Sequence, residues 1–390
     1  MFFAKIISLC GLFLNNVTGL VKYKIIGYYF GLPGIALFAE VQNLTNIIIS
    51  IGGNGSQAEL PKLLEKYNNS VIPLILNIVI NATITLLCIC IAAVGIKSQL
   101  IVLSFSTILG VLNISLTAYL ICNNSKLYGI YLVASNIIQL FVLSFIWIVG
   151  VDEGQLPLFV LLTPFCQFLV LIFLSIKTKK HSIINAQMLN IFLDTIKSNK
   201  RGVGVGLASA ATLSAIYILR LMIENVEGSN KAGEFAILFS ISNLVTIPIQ
   251  SIIYAHTYPK LILNGNYKKI LKNDIIMPIV ILFIAHLVIY LTLDFLVSML
   301  FVSDLKLLKS DYIVFIMSDF FKVMSMFTGF ILLAGKKNMS YFLTQVLASA
   351  ICIVAVYSLS ILTLNMYLAL LALYLSYFLI GGYFVRKDVY

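Results

Sequence analysis

Residues 275–293 read IIMPIVILFIAHLVIYLTL, a stretch that contains no Asp, Glu, Lys or Arg. A helix that crosses the hydrocarbon core of a bilayer needs about 20 consecutive apolar residues, because each residue adds about 1.5 Å along the helix axis. The stretch therefore predicts a membrane-spanning helix. By the same criterion the sequence predicts twelve spans, at 6–28, 33–53, 70–95, 99–121, 127–149, 156–176, 202–223, 233–256, 274–299, 312–334, 339–361 and 364–384.

The composition of the whole chain agrees with this pattern. Of its 390 residues, 61% are hydrophobic and 11% are charged, and the mean hydropathy is +1.03. A soluble domain carries about 25% charged residues. So much apolar surface excludes a soluble enzyme, a disordered protein and a secreted disulfide scaffold. The sequence predicts an all-α membrane protein.

The distribution of positive charge predicts the orientation of the chain. Eighteen of the 26 Lys and Arg residues fall in segments that a cytoplasmic N-terminus would place inside, and seven fall outside. Cytoplasmic loops of membrane proteins carry the excess of Lys and Arg. Both termini are therefore expected in the cytoplasm, and the net charge of +11 needs no nucleic acid as a partner.

A connection at 177–201 separates the first six predicted spans from the last six. We expect an N-terminal lobe at 1–176 and a C-terminal lobe at 202–390. Within the connection, apolar residues recur at helical spacing over 183–197. This spacing is typical of an amphipathic helix that lies at the membrane surface.

The two halves show a weak internal repeat with an offset of 200 residues. The segments 34–47 and 234–247 share Ala, Asn, Leu and Ile at four equivalent positions. A parallel repeat of this kind is common in transporters, whose substrate site lies between the halves. The sequence thus predicts two six-helix lobes around a central cavity.

Two cations lie at the same predicted depth in equivalent spans. Lys24 and Arg220 each follow the start of their span by 18 residues, about 27 Å from the inner face. Such a pair suits an anionic group, and the Arg220 guanidinium can bind phosphate oxygens through two parallel hydrogen bonds. The alternative is that both side chains extend to the outer headgroups.

Three further charged residues fall inside predicted spans. Asp319 and Lys322 share one helix face and form either a neutral structural pair or part of a functional site. Glu40 has several possible roles: pairing with Lys24, binding a sugar hydroxyl, carrying a coupling proton, or a structural ion pair between helices. Neither a metal site nor a catalytic residue is expected, because the six Cys lack metal-ligand spacing and the three His are far apart in sequence.

Three motifs resemble bacterial O-antigen flippases of the Wzx type. These flippases belong to the polysaccharide exporter branch of the multidrug/oligosaccharidyl-lipid/polysaccharide (MOP) superfamily. The motifs are KIIGYYFGLPGIALF at 24–38, YPKL at 258–261 and SDFFKV at 318–323. The sequence has Ser318 where the family often has Gly.

The resemblance implies that the chain flips an undecaprenyl-diphosphate-linked oligosaccharide, the O-antigen repeat unit, across the bacterial inner membrane by alternating access. The implied partners are this lipid-linked oligosaccharide, membrane lipids and the polysaccharide polymerase machinery. No cofactor is implied, although a proton or sodium gradient is a possible source of energy.

Two alternatives remain open at this point. A multidrug exporter of the same fold would carry cations, which a basic cavity disfavours. A polysaccharide polymerase or ligase handles the same lipid but typically needs a large outer loop, whereas the outer connections here are short.

The orientation can be tested with reporter fusions at Asn185 and Ser229. The charge bias predicts a cytoplasmic signal at Asn185 and a periplasmic signal at Ser229. A periplasmic signal at Asn185 would contradict the twelve-span topology.

Overall fold

The computed structural model describes residues 2–53, 71–92, 100–123, 125–177, 188–253, 274–300 and 309–388, with positions 60, 63, 64, 66, 67, 257, 260 and 261. Eleven helices of these residues are long and apolar enough to cross a membrane. They are α1 (Phe2–Gly52), α2 (Val71–Ala92), α3 (Leu100–Asn123), α4 (Ser125–Val149), α5 (Leu158–Lys177), α6 (Met188–Glu227), α7 (Ser229–Ile252), α8 (Ile276–Leu300), α9 (Lys309–Ala334), α10 (Asn338–Ile361) and α11 (Leu368–Asp388).

Helix α1 is a hairpin of two spans. Its helical geometry is interrupted at Gly31, where φ is 63° and ψ is −164°, and Pro33 follows. Across this break the rings of Tyr23 and Phe38 are 5.4 Å apart. In a straight helix, residues at this separation would lie about 22 Å apart. The chain therefore turns back at Gly31, so eleven helices give twelve crossings, which confirms the predicted all-α membrane fold.

Helix α6 joins two elements that the sequence analysis treated as separate. Its 40 residues correspond to about 60 Å, twice the thickness of the hydrocarbon core. Residues 188–197 are helical, and they continue into the seventh span without a break. On this part Phe192 and Ile196 are exposed, whereas Ile191 is buried. The rest of the predicted amphipathic segment, 183–187, lies outside the described residues.

The N-terminal part of α6 is held by residues that follow the second span. The Lys66 ammonium and the Tyr67 hydroxyl both donate to the Asp194 carboxylate. The hydrogen bond from Lys66 to this carboxylate raises the pKa of the Lys66 ammonium. Because Lys66 is exposed, this ion pair positions the helix more than it stabilises the fold.

Contacts between helix ends follow the alternation that twelve crossings require. At the predicted outer ends of α7 and α9, Lys231 lies 3.0 Å from Asp311. Asp311 also accepts a hydrogen bond from Asn365, which lies just before the start of α11. At the predicted inner ends, Ser340 of α10 donates to Asp388 of α11. Ends that are predicted on one side thus contact each other.

The described chain forms two compact units. One comprises Met1–Thr18 and Val41–Ala210, and the other comprises Gly19–Glu40 and Ala211–Tyr390. Both α1 and α6 contribute to both units. The division into lobes at the 177–201 connection stays a prediction, because these units group residues by contact alone.

The first unit packs its helices with apolar side chains and neutral hydrogen bonds. Leu120, Leu132 and Leu171 form one buried cluster of α3, α4 and α5. In the same unit, Asn77 of α2 accepts from Ser115 of α3 at 3.0 Å, one of several bonds between helices. These polar residues join helices, as is common in membranes.

The second unit has its own core, in which α7, α8 and α9 meet. Val245, Ile249, Leu282, Val323 and Phe327 are all buried there. Helices α9 and α10 both pack along α11. This core holds the faces of α7, α8 and α9 that carry polar residues in a fixed arrangement.

Gly31→Ala should destabilise the α1 hairpin. The backbone conformation at Gly31 is nearly confined to glycine and costs other residues about 1–3 kcal/mol. Thermal unfolding of the purified variant in detergent should show a lower midpoint. Gly19→Ala is the matched control, since an added Cβ there would meet no atom within 4 Å. Equal midpoints for both variants would contradict the hairpin geometry.

Candidate functional site

All five residues predicted for the site belong to the second unit. They divide into two groups. Arg220, Glu40 and Lys24 lie on α6 and the α1 hairpin, and Asp319 and Lys322 lie on α9.

Arg220 joins α6 to the second arm of the α1 hairpin. Its side chain is only 1% exposed, and one terminal nitrogen donates to the backbone carbonyl of Ala36. The same nitrogen lies 4.0 Å from the Glu40 carboxylate. Tyr217, one turn earlier on α6, donates to Glu40 at 3.3 Å. The cation recorded next to Glu40 is thus Arg220, whereas the sequence analysis named Lys24 as its possible partner.

The Arg220 guanidinium keeps two donors unused. Within the described part of the chain, its Nε and Nη1 have no hydrogen-bond partner. A buried donor without a partner costs about 1–3 kcal/mol, so such groups in native proteins call for an explanation. An anion that approached these two nitrogens would satisfy both.

Lys24 lies on the first arm of the hairpin and is partly exposed. Its predicted role beside Arg220 stays a prediction.

Asp319 is buried and bonds to neighbouring helices. Its Oδ2 accepts a hydrogen bond of 2.7 Å from Ser242 of α7. The same oxygen lies 3.1 Å from Nε2 of His286 on α8, but the two atoms do not form a well-directed hydrogen bond. The other ring nitrogen of His286, Nδ1, is 2.8 Å from the Tyr312 hydroxyl. We call these four residues the His286 cluster.

Lys322 is held by neutral groups. Its ammonium donates to Asn243 at 3.0 Å and to Thr246 at 2.9 Å. It also lies 5.7 Å from the ring centroids of Phe239 and Tyr374, within the range of cation–π interactions. Amide, hydroxyl and aromatic groups thus surround a cation that remains partly exposed.

The hypothesis that Asp319 and Lys322 neutralise each other directly is not what the contacts show. Their spacing of three residues places both on one helix face. Their side chains nevertheless contact different residues: Asp319 contacts Ser242 and His286, whereas Lys322 contacts Asn243 and Thr246. Among the described residues, the carboxylate therefore has Ser242 as its nearest partner and His286 as its nearest ionisable one, and the ammonium has no direct carboxylate partner.

Sequence reasoning missed His286, Tyr312 and Ser242. His286 stands alone in an apolar stretch, and its two partners lie 26 and 33 residues later in the chain. Ser242 does precede Asn243, a position shared by the two halves, which was the one signal in the sequence. The contact itself depends on the packing of three helices.

The two units differ in the character of their buried polar residues. In the second unit, charged residues such as Arg220 and Asp319 lie within spans. In the first unit, the buried polar residues within the described spans α2 to α5 are neutral amides and hydroxyls such as Asn81, Thr107 and Gln139. Among these described spans, the buried charges therefore belong to the second unit.

The fold is similar to solved structures of MATE transporters. One, described as the outward-facing conformation of a multidrug resistance MATE family transporter of the MOP superfamily, has a TM-score of 0.70 and 14% identity, covering 98% of this chain and 94% of that chain. A MATE structure in complex with MaL6 has a TM-score of 0.69 and 15% identity, over 98% and 94%. The inward-facing conformation of a MATE family transporter has a TM-score of 0.59 and 13% identity, over 97% and 94%.

At these identities the likeness establishes the fold, which is the one that the resemblance to the MOP superfamily implies. The flippase branch stays a prediction. No protein-family model matches the sequence, and no curated protein matches it either.

Proposed function

We propose that this chain is a flippase that moves an oligosaccharide linked to undecaprenyl diphosphate across the bacterial inner membrane by alternating access. The O-antigen repeat unit is the substrate that its sequence motifs suggest. The MATE-like fold supports a transport function of this kind.

The environment of Lys322 is the observation that carries the proposal. A charge inside the membrane is costly, so a retained one points to a function. Lys322 is a partly exposed residue, and its ammonium bonds only neutral oxygens among the described residues. The diphosphate or an acidic sugar of the substrate would supply the missing negative charge. The adjacent ring of Tyr374 and the amide of Asn243 are groups that suit sugar recognition.

Arg220 and Lys24 contribute a second contact region in this proposal. The unused donors of Arg220 suit phosphate oxygens, which this side chain binds in pairs. Glu40 positions the guanidinium, and its side chain is partly exposed, so it can accept a hydrogen bond from a sugar hydroxyl.

The remaining features of the proposal follow from the predicted orientation. Both termini would lie in the cytoplasm, and the substrate would be delivered to the periplasmic leaflet. The partners would be the lipid-linked substrate, membrane lipids and the polysaccharide polymerase machinery. A proton or sodium gradient would supply the energy.

A multidrug exporter is the second candidate, because two of the similar structures are described as multidrug resistance transporters. A cationic drug would have to approach Lys322 and Arg220, whose charges repel it. The polymerase or ligase alternative gains no support from structural neighbours that are transporters.

The test is transport by the purified full chain in proteoliposomes. The probe is a fluorescent undecaprenyl-diphosphate-linked oligosaccharide, and the measurement is its exposure to an external glycosidase over time. We expect Lys322→Gln to slow flipping about 10- to 150-fold, because a charge-assisted contact is worth about 1.5–3 kcal/mol.

Lys309→Gln is the matched control on the same helix. It removes the same charge from the first residue of α9, where Lys309 forms an exposed ion pair with Asp294 of α8. Flipping should persist in this variant. Equal rates for Lys322→Gln and the unmodified chain would contradict the proposed site, and efflux of ethidium without any flipping would favour the multidrug exporter.

A further inference from the structure

The His286 cluster has no role in the proposed binding of substrate. His286 is 1% exposed, near the middle of a span that has no Asp, Glu, Lys or Arg before Asp294. Both of its ring nitrogens lie within 3.1 Å of an oxygen atom, of Tyr312 on one side and of Asp319 on the other. An imidazole in this position can accept a proton, since a hydroxyl oxygen can accept from Nδ1 and a carboxylate from Nε2.

The other ionisable groups on the elements that pack against α8 have different partners. On α7 and α9, Lys231 pairs with Glu234 and Asp311. At the outer end of α8 itself, Asp294 pairs with Lys309. The ionisable groups that these elements direct towards the imidazole are Tyr312 and Asp319. Lys322 lies one helical turn after Asp319, next to the ring of Tyr374 on α11. Tyr290, on α8 itself, lies next to Lys309 instead.

The charge of this region depends on one proton. When the imidazole is neutral, the negative Asp319 and the positive Lys322 cancel over a single helical turn. When the imidazole is protonated, it neutralises Asp319 from 3.1 Å, and the charge of Lys322 is no longer compensated. The electrostatic energy of Lys322 therefore differs between the two protonation states, and this difference is large in a medium of low dielectric constant.

We propose that His286 is a proton-binding site that controls the affinity of Lys322 for an anionic group of the substrate. A proton on His286 and an anion at Lys322 would then favour each other's binding. This inference rests on the proposed function, because it takes the anion at Lys322 from there.

The linkage has a direct consequence for transport. Two ligands that strengthen each other's binding do so by the same factor in both directions. A lower pH on one side of the membrane would therefore strengthen substrate binding on that side. The linkage makes the affinity of the site depend on pH and does not by itself drive export towards the more acidic side, while Tyr312 and Ser242 act as positioning residues.

The test is the binding of farnesyl diphosphate to the purified full chain in detergent, followed by calorimetry. Measurements at about pH 5.5 and about pH 8 lie on either side of the ordinary titration of histidine. At the lower pH, we expect the unmodified chain to bind the probe at least about fivefold more tightly than His286→Gln does, which is the low end of usual coupling between two sites. Because His286→Gln never binds this proton, the comparison removes the effect of the probe's own ionisation.

Asp319→Asn keeps the shape of the cluster and separates this role from a structural one. It removes the charge that opposes Lys322, so it should bind the probe tightly at both pH values, whereas His286→Gln should bind weakly at both. A merely structural role for the cluster would weaken binding in both variants. Calorimetry in two buffers of different ionisation enthalpy should also show that the unmodified chain takes up more protons on binding than His286→Gln does.

The outcomes distinguish this inference from the proposed function. An unmodified chain that binds the probe with the pH dependence of His286→Gln overturns the inference and leaves the proposed substrate intact. An unmodified chain that binds no probe at either pH contradicts the proposed diphosphate site and with it the proton linkage.

Discussion

The cost of a charge inside a membrane is the constraint on which this molecule depends. Every ionised group that stays within a span must be balanced by a neighbour or by a ligand. In the second unit, Asp319 accepts a hydrogen bond from Ser242 and lies beside His286, and Arg220 lies against Ala36 and Glu40. These contacts require α1, α6, α7, α8 and α9 to be packed in one arrangement. The positions of the charged residues and the packing of these helices therefore depend on each other.

The separation of Asp319 from Lys322 is the main functional consequence. Two opposite charges on one helix face would, if bonded to each other, form an inert pair. Because α8 presents His286 to the carboxylate, the hydrogen-bond partners of Lys322 among the described residues are neutral. A cation surrounded by amide, hydroxyl and aromatic groups suits the anionic group of the substrate that we propose.

The spans were predictable because hydropathy is a local property of the sequence, whereas contacts between helices were not. Twelve spans follow from apolar stretches alone, and even the turn near Gly31 coincides with a gap between two of them. The length of α6 was missed because the polar residues 197–201 resemble the end of a helix. Charges within spans identified Arg220 and Lys322, since charge is visible in the sequence. The partner of Asp319 was not visible, because a histidine in an apolar stretch has no sequence-local partner.

The most direct measurement is a pair of double-mutant cycles on the apparent free energy of unfolding in mixed micelles. One cycle combines Asp319→Asn with His286→Gln, and the other combines Asp319→Asn with Lys322→Gln. Residues in contact usually show an interaction energy of about 0.5–3 kcal/mol. The structure predicts that the cycle with His286 gives the larger interaction energy, in the upper part of this range. A larger interaction energy for the cycle with Lys322 would contradict the account, since Asp319 and Lys322 would then be each other's partners.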